Sequence, residues 1–153
     1  MNIIKKSIFA LTALLAFASA APSFADNNTD NIIGAGGYDL TSYHTQEKPQ
    51  RGNGHHVAVV DGVTYQFATD DNKKTFEATP AKFLPQFGGY CAFGVSVSKK
   101  FVADPEQFDI VDGKLYLNLD SKTRSIWLQN VSGRITDANL NWKKIATKKP
   151  QEL

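Results

Sequence analysis

The sequence predicts an α+β domain built from two pseudo-repeated units, each a β-hairpin followed by a helix, sharing one core. Three observations carry this prediction. Asp61-Gly62 and Asp112-Gly113 each separate two short runs rich in β-branched residues. Both residues of such a turn take positive φ, which makes Asp-Gly a strong hairpin signal. Each second run leads into a polar capping position and a helical pattern. The two halves also match in register. Val60-Asp61-Gly62-Val63-Thr64-Tyr65 aligns with Val111-Asp112-Gly113-Lys114-Leu115-Tyr116 at an offset of 51, which also pairs Lys73 with Arg124 and Phe76 with Trp127. Gly36-Gly37-Tyr38 aligns with Gly88-Gly89-Tyr90 at an offset of 52, so one single-residue indel reconciles the registers and points to an ancient duplication.

Taken in order, the first segment reads as an export signal. Lys5 and Lys6 form a positive start, residues 8–21 are apolar apart from Thr12 and Ser19, and Ser23-Phe24-Ala25 places small residues where a signal peptidase reads. A membrane anchor wants about 20 apolar residues; this run is shorter and stops at Pro22. Residues 1–25 are therefore expected to be removed, giving a periplasmic protein with no membrane span. Residues 26–36 read as a flexible lead-in, residues 37–146 as the domain (about 37–87 and 88–146), and residues 147–153 as a flexible tail.

Within the domain, strands are expected over residues 56–60 and 64–67, then a helix over 72–78 capped by Asp70 or Asp71. Pro80 opens a helical turn through Leu84. The second unit repeats the pattern with strands over 108–111 and 114–119 and a helix over 122–130 capped by Ser121. A last helix covers 136–145. Residues 46–54 read as an exposed loop, and Asp104, Glu106 and Asp109 as a solvated acidic one. A hairpin alone cannot bury enough apolar surface, so the units need a common interior, for which Tyr65, Phe67, Phe76, Phe83, Tyr116 and Trp127 are natural members.

Charge narrows the function. The 17 Lys and Arg against 15 Asp and Glu become equal once Lys5 and Lys6 leave with the signal. A neutral domain gives no electrostatic reason to bind nucleic acid. The chain has no Gly-x-Ser-x-Gly, His-Glu-x-x-His, phosphate loop or dinucleotide fingerprint. No catalytic constellation is assigned, and the inventory suits a binding protein better than an enzyme. Its lone cysteine, Cys91, is unusual in an exported chain, where cysteines normally pair. It can be an inert buried thiol, an intermolecular bridge, a metal ligand or a reactive group.

At Tyr65-Gln66-Phe67-Ala68, Lys73, Phe76, Pro80 and Phe83-Leu84 the chain resembles the YHS domain, a small module regarded as metal-binding. Phe87-Gly88-Gly89-Tyr90-Cys91-Ala92-Phe93-Gly94, Val111-Asp112-Gly113-Lys114-Leu115-Tyr116-Leu117-Asn118 and Ala138-Asn139-Leu140-Asn141-Trp142 resemble its exported bacterial branch, the YHS domain-containing (seleno)proteins. The metal-binding form has two cysteines where this chain has Ala68 and Asn72, so that site does not carry over. The relatives imply selenocysteine at the position of Cys91, which favours a chemical role there.

The soft or borderline ligands left are Cys91, His44, His55 and His56. A thiolate with imidazoles suits copper first and zinc second. His55 and His56, adjacent on a strand, would face opposite ways. The leading expectation is a metal-binding protein, copper favoured, using Cys91 and a histidine in metal handling. A single-thiol redox protein or sensor is the alternative, and a binding or assembly module with an inert Cys91 the third. The partner is then a metal ion or another periplasmic protein.

Overall fold

The computed structural model describes residues 33–45 and 48–153; the expected signal peptide, residues 26–32 and part of the 46–54 loop lie outside them. Asp-Gly turns fold two antiparallel hairpins: β1 (Asn53–Val60) with β2 (Val63–Phe67), and β3 (Asp104–Val111) with β4 (Lys114–Asn118). Asp61 and Asp112 both have φ of 50°, the turn geometry that Asp-Gly favours. The remaining helices are α1 (Asp70–Ala78), α2 (Pro80–Phe83), α3 (Ala92–Ser96), α4 (Ser121–Leu128) and α5 (Val131–Ile145). The fold is α+β.

The two hairpins agree in detail. Val57 pairs with Gln66 and Asn53 with Phe67 across an irregularity; 51 residues on, Phe108 pairs with Leu117 and Asp104 with Asn118 across the same irregularity. Its cause is also shared. Asn53 Oδ1 accepts from His55 N at 2.9 Å, and Asp104 Oδ1 accepts from Glu106 N at 2.9 Å. The loops ahead of the hairpins match as well: Ala35, Gly36 and Gly37 all have positive φ, as do Phe87, Gly88 and Gly89.

The helix caps fall one residue earlier than expected. Thr69 and Asp120, both extended, accept from the N–H groups of Asn72 and Thr123. Asp70 and Ser121 become first-turn residues instead. The last helix begins at Val131, not Thr136, because Asn130 caps it through Gly133 N. A glycine and a serine in its first turn hide that start from propensity.

The interior forms two clusters rather than one core. Tyr38, Leu40, Tyr43, Tyr65, Phe67, Phe76 and Phe83 form the first, and Phe87, Val95, Tyr116, Trp127, Ala138 and Ile145 anchor the second. Strand β4 joins them. Leu115 and Leu117 face the first cluster while Tyr116 faces the second, as the period-two alternation of a strand requires.

Segments read as flexible or solvated carry contacts. Ile33 bridges to Thr64, and Gly34 is buried so close to Tyr65 that an added Cβ would lie 2.2 Å from its ring. The acidic stretch expected as a solvated loop is strand β3: Glu106 accepts from the Tyr38 hydroxyl, and Asp109 pairs with Arg124 at 2.7 Å. At the C-terminus, Leu153 packs on the second cluster.

Candidate functional site

Cys91 is fully buried, as the N-cap residue that precedes α3. The chain is fixed there from both sides. Cys91 N donates to Phe101 O at 3.0 Å, and Cys91 O accepts from Val95 N at 2.9 Å. The sulfur takes the place of an N-cap oxygen, accepting from Gly94 N at 3.3 Å. Its thiol donates weakly to Asn118 Oδ1 at 3.9 Å, and the same oxygen accepts from Phe93 N at 3.3 Å. Burial pushes the thiol pKa up; nearby backbone N–H groups, foremost that of Gly94, pull it back only in part. At neutral pH the group is a protonated thiol, unlike the depressed thiolates of reactive cysteines.

Asp39 occupies the matching position in the first unit. Asp39 N donates to Gln50 O at 2.8 Å, as Cys91 N does to Phe101 O, 51 residues after Gln50. The Asp39 carboxylate is fully buried, and its two oxygens accept four hydrogen bonds. Oδ1 takes Thr41 N at 2.9 Å and Thr41 Oγ1 at 2.7 Å. Oδ2 takes Ala68 N at 2.9 Å and Asn72 Nδ2 at 2.7 Å. Ala68 and Asn72, which stand where the YHS resemblance expects cysteines, thus both converge on this carboxylate.

The three histidines lie with the first unit. The His44 ring meets Phe83 edge-on at 5.4 Å, and burial, helped by Lys82, lowers its pKa and keeps it neutral. Its buried Nε2 has no partner among the described residues. His55 is exposed at the β1 irregularity and His56 is half-buried; the Asp70 carboxyl, whose pKa is lowered chiefly by its hydrogen bond and ion pair with Lys74, also feels His56. The neighbours that hold Cys91 all come from the second unit. Among the described residues no group of three or more His, Cys, Asp or Glu side chains is placed to hold a metal ion. The sulfur's hydrogen-bond partners are one N–H donor and one amide oxygen, so Cys91 is the one soft donor atom there.

Sequence reading missed Asn118 altogether, and it set Asp39 opposite Cys91 without giving it a role. Asn118 is fully buried, and its Nδ2 donates to nothing among the described residues. A signal for it does exist, because the offset of 51 sets this polar side chain against the core aromatic Phe67. The elements around it are tightly tied. Asn141 Nδ2 donates to Val95 O and Ser96 O at the end of α3. Lys100, only 7% exposed, donates to Ala146 O at 2.7 Å and Lys148 O at 2.6 Å, with its ammonium 5.1 Å from the Tyr90 and Trp142 ring centres.

Fold and site together define an α+β domain with two antiparallel hairpins and two fully buried polar side chains, the Asp39 carboxylate and the Cys91 thiol. No family model, curated protein or solved structure matches the chain.

Proposed function

We propose that this chain is an exported, non-catalytic binding domain of YHS type in which Cys91 is a structural hydrogen-bond acceptor. The observation that carries the reading is the fully buried Sγ, held at the start of α3 by Gly94 N where Asp39 takes backbone N–H groups in the first unit. An internal duplication accounts for that correspondence: the ancestral unit needed an acceptor here, and the two copies meet the need with different chemistry. Export rests on the Lys5–Lys6 start, the apolar run and the Ser23-Phe24-Ala25 site. Intact mass of the protein recovered from a periplasmic fraction tests it, with a chain starting at Asp26 expected and a full-length cytoplasmic chain contradicting it.

Copper binding through Cys91 is the second reading. The Gly94 N–H directed at the sulfur favours it, because it stabilises a thiolate once a metal displaces the proton. With the histidines on the other unit, the site is a transient one completed by a ligand from a partner protein. Titration of reduced protein with Cu(I) against a competing chelator separates the two readings. Equal affinity for wild type and Cys91→Ser supports the structural role; loss of tight binding in the variant supports copper.

A further inference from the structure

We propose that this domain docks on anionic lipid surfaces, through the apolar loop from Val97 to Val102 and the lysines at the C-terminal end of α5. The backbone tie that closes this loop occurs twice in the molecule, with opposite surface chemistry. In the first half an isolated β-bridge pairs Tyr38 with Arg51, and Asp39 N donates to Gln50 O at 2.8 Å. In the second a β-bridge pairs Tyr90 with Val102, and Cys91 N donates to Phe101 O at 3.0 Å. One tie thus carries Gln50 and Arg51, with the Arg51 guanidinium 4.5 Å from the centre of the Tyr38 ring. The other carries Phe101, 45% exposed, and Val102, 82% exposed. The tie forms with polar residues at these positions, so packing gives no reason for two large apolar side chains in solvent.

The loop gathers further exposed groups around Gly94. A Cβ on Gly94 would meet the Phe101 ring at 2.8 Å, and Gly94 O accepts from Val97 N at 3.0 Å and from Lys99 N at 2.9 Å. Val97 is 46% exposed and Lys99 is exposed as well. Exposed apolar groups collected in one place mark an interaction surface, unlike apolar residues scattered singly.

Charge names the partner. The neutrality of residues 26–153 hides an uneven distribution: residues 91–102 and 138–153 hold Lys99, Lys100, Lys143, Lys144, Lys148 and Lys149 against a single acidic residue, Glu152. Lys100 joins the two segments, because its ammonium donates to Ala146 O and Lys148 O. The other five lysines are exposed. The Glu152 carboxylate accepts from Lys149 N at 2.7 Å, which keeps it at the helix that closes the chain. An acidic protein segment would use the lysines and leave Phe101 and Val102 in water. A bilayer interface uses both, with apolar side chains below the headgroups and ammonium groups at the lipid phosphates. The surface goes beyond the binding reading and is the same whether Cys91 is structural or a copper ligand.

The test is cosedimentation with lipid vesicles of the processed chain starting at Asp26, so that the apolar run over residues 8–21 adds no binding of its own. Vesicles of phosphatidylcholine mixed with phosphatidylglycerol are compared with vesicles of phosphatidylcholine alone at low salt. Partitioning is expected to be about tenfold or more stronger on the anionic vesicles and to fall as salt screens the lysines. Phe101→Gln with Val102→Gln is expected to lower it by about tenfold, and Lys148→Gln with Lys149→Gln by a similar factor. Val102 is so exposed that Val102→Gln alone serves should the double variant fail to fold, with a several-fold loss expected. Absence of sedimentation with anionic vesicles, or equal partitioning on the two compositions, overturns the proposal. Binding that depends on the lysines but is indifferent to Phe101 and Val102 also overturns it, and assigns the surface to an acidic protein partner.

Discussion

Asp39 and Cys91 perform one task in two chemistries. Ala68 N donates to Asp39 Oδ2 at 2.9 Å, and the Cys91 thiol donates to Asn118 Oδ1 at 3.9 Å. Each residue ties the loop after a Gly-Gly-Tyr turn to the exit of the second hairpin strand, where the chain turns into a helix.

Removing the first acceptor strands several donors at once. Asp39→Ala leaves Ala68 N, Asn72 Nδ2 and both Thr41 donors without their partner. Each unsatisfied buried donor costs about 1–3 kcal/mol, so a total loss of about 3 kcal/mol or more is expected. Urea unfolding checks it. Asn72→Ala, which deletes one donor and leaves the carboxylate its other three, is expected to lose less.

Alkaline pH reads the second acceptor. The folded Cys91 thiol has its pKa raised by burial, above an unfolded value of about 8.5. The raised folded pKa means that the thiol's contribution is complete below about pH 8.5 and is lost as pH climbs through the folded value. Wild type is therefore expected to lose more stability than Cys91→Val between about pH 7.5 and about pH 9.5, a window below ordinary tyrosine titration. Parallel slopes in urea midpoint for the two proteins would contradict this.

Two glycines two residues apart make a sharp contrast. A Cβ on Gly52 would lie 2.3 Å from the backbone carbon of Gln66, whereas one on Gly54 meets nothing within 4 Å. Backbone cannot step aside as a flexible side chain can. Gly52→Ala is expected to cost about 1–3 kcal/mol through overpacking, and Gly54→Ala close to nothing. Thermal melts of the two variants decide it.

Lys100 anchors the C-terminal end of α5. Its ammonium serves the carbonyls of Ala146 and Lys148, at the negative end of the helix. Lys100→Met keeps the stem but orphans both carbonyls, for an expected cost of about 1–3 kcal/mol. Amide hydrogen exchange should quicken over residues 146–153 more than in β1 and β2. Uniform acceleration across the domain would show a general loss of stability instead of a local clasp.

Local chemistry made the hairpins and most helices legible. Asp61-Gly62 and Asp112-Gly113 dictate their own turns, and each turn sets the register of the strands on either side of it. Asn130 as a cap was hidden, because Ser132 and Gly133 weaken the helical pattern just after it. Helix α3 was missed for a related reason: a five-residue helix holding Gly94 has little propensity of its own, and its place is fixed by Cys91, Phe101 and Asn141. The candidate site was half legible. Cys91 stood out by type, but its partner Asn118 comes from beyond the next hairpin strand. Which of His44, His55 and His56 lay near the thiol depended on tertiary arrangement, and spacing carries no record of that.

The structural role of Cys91 is tested most directly by its labelling rate with a thiol reagent, followed across a urea series with and without copper. A fully buried acceptor predicts negligible native labelling and a rate that rises with urea in step with global unfolding, unchanged by copper. Rapid labelling in native buffer, or strong protection by copper well below the unfolding midpoint, would contradict the account.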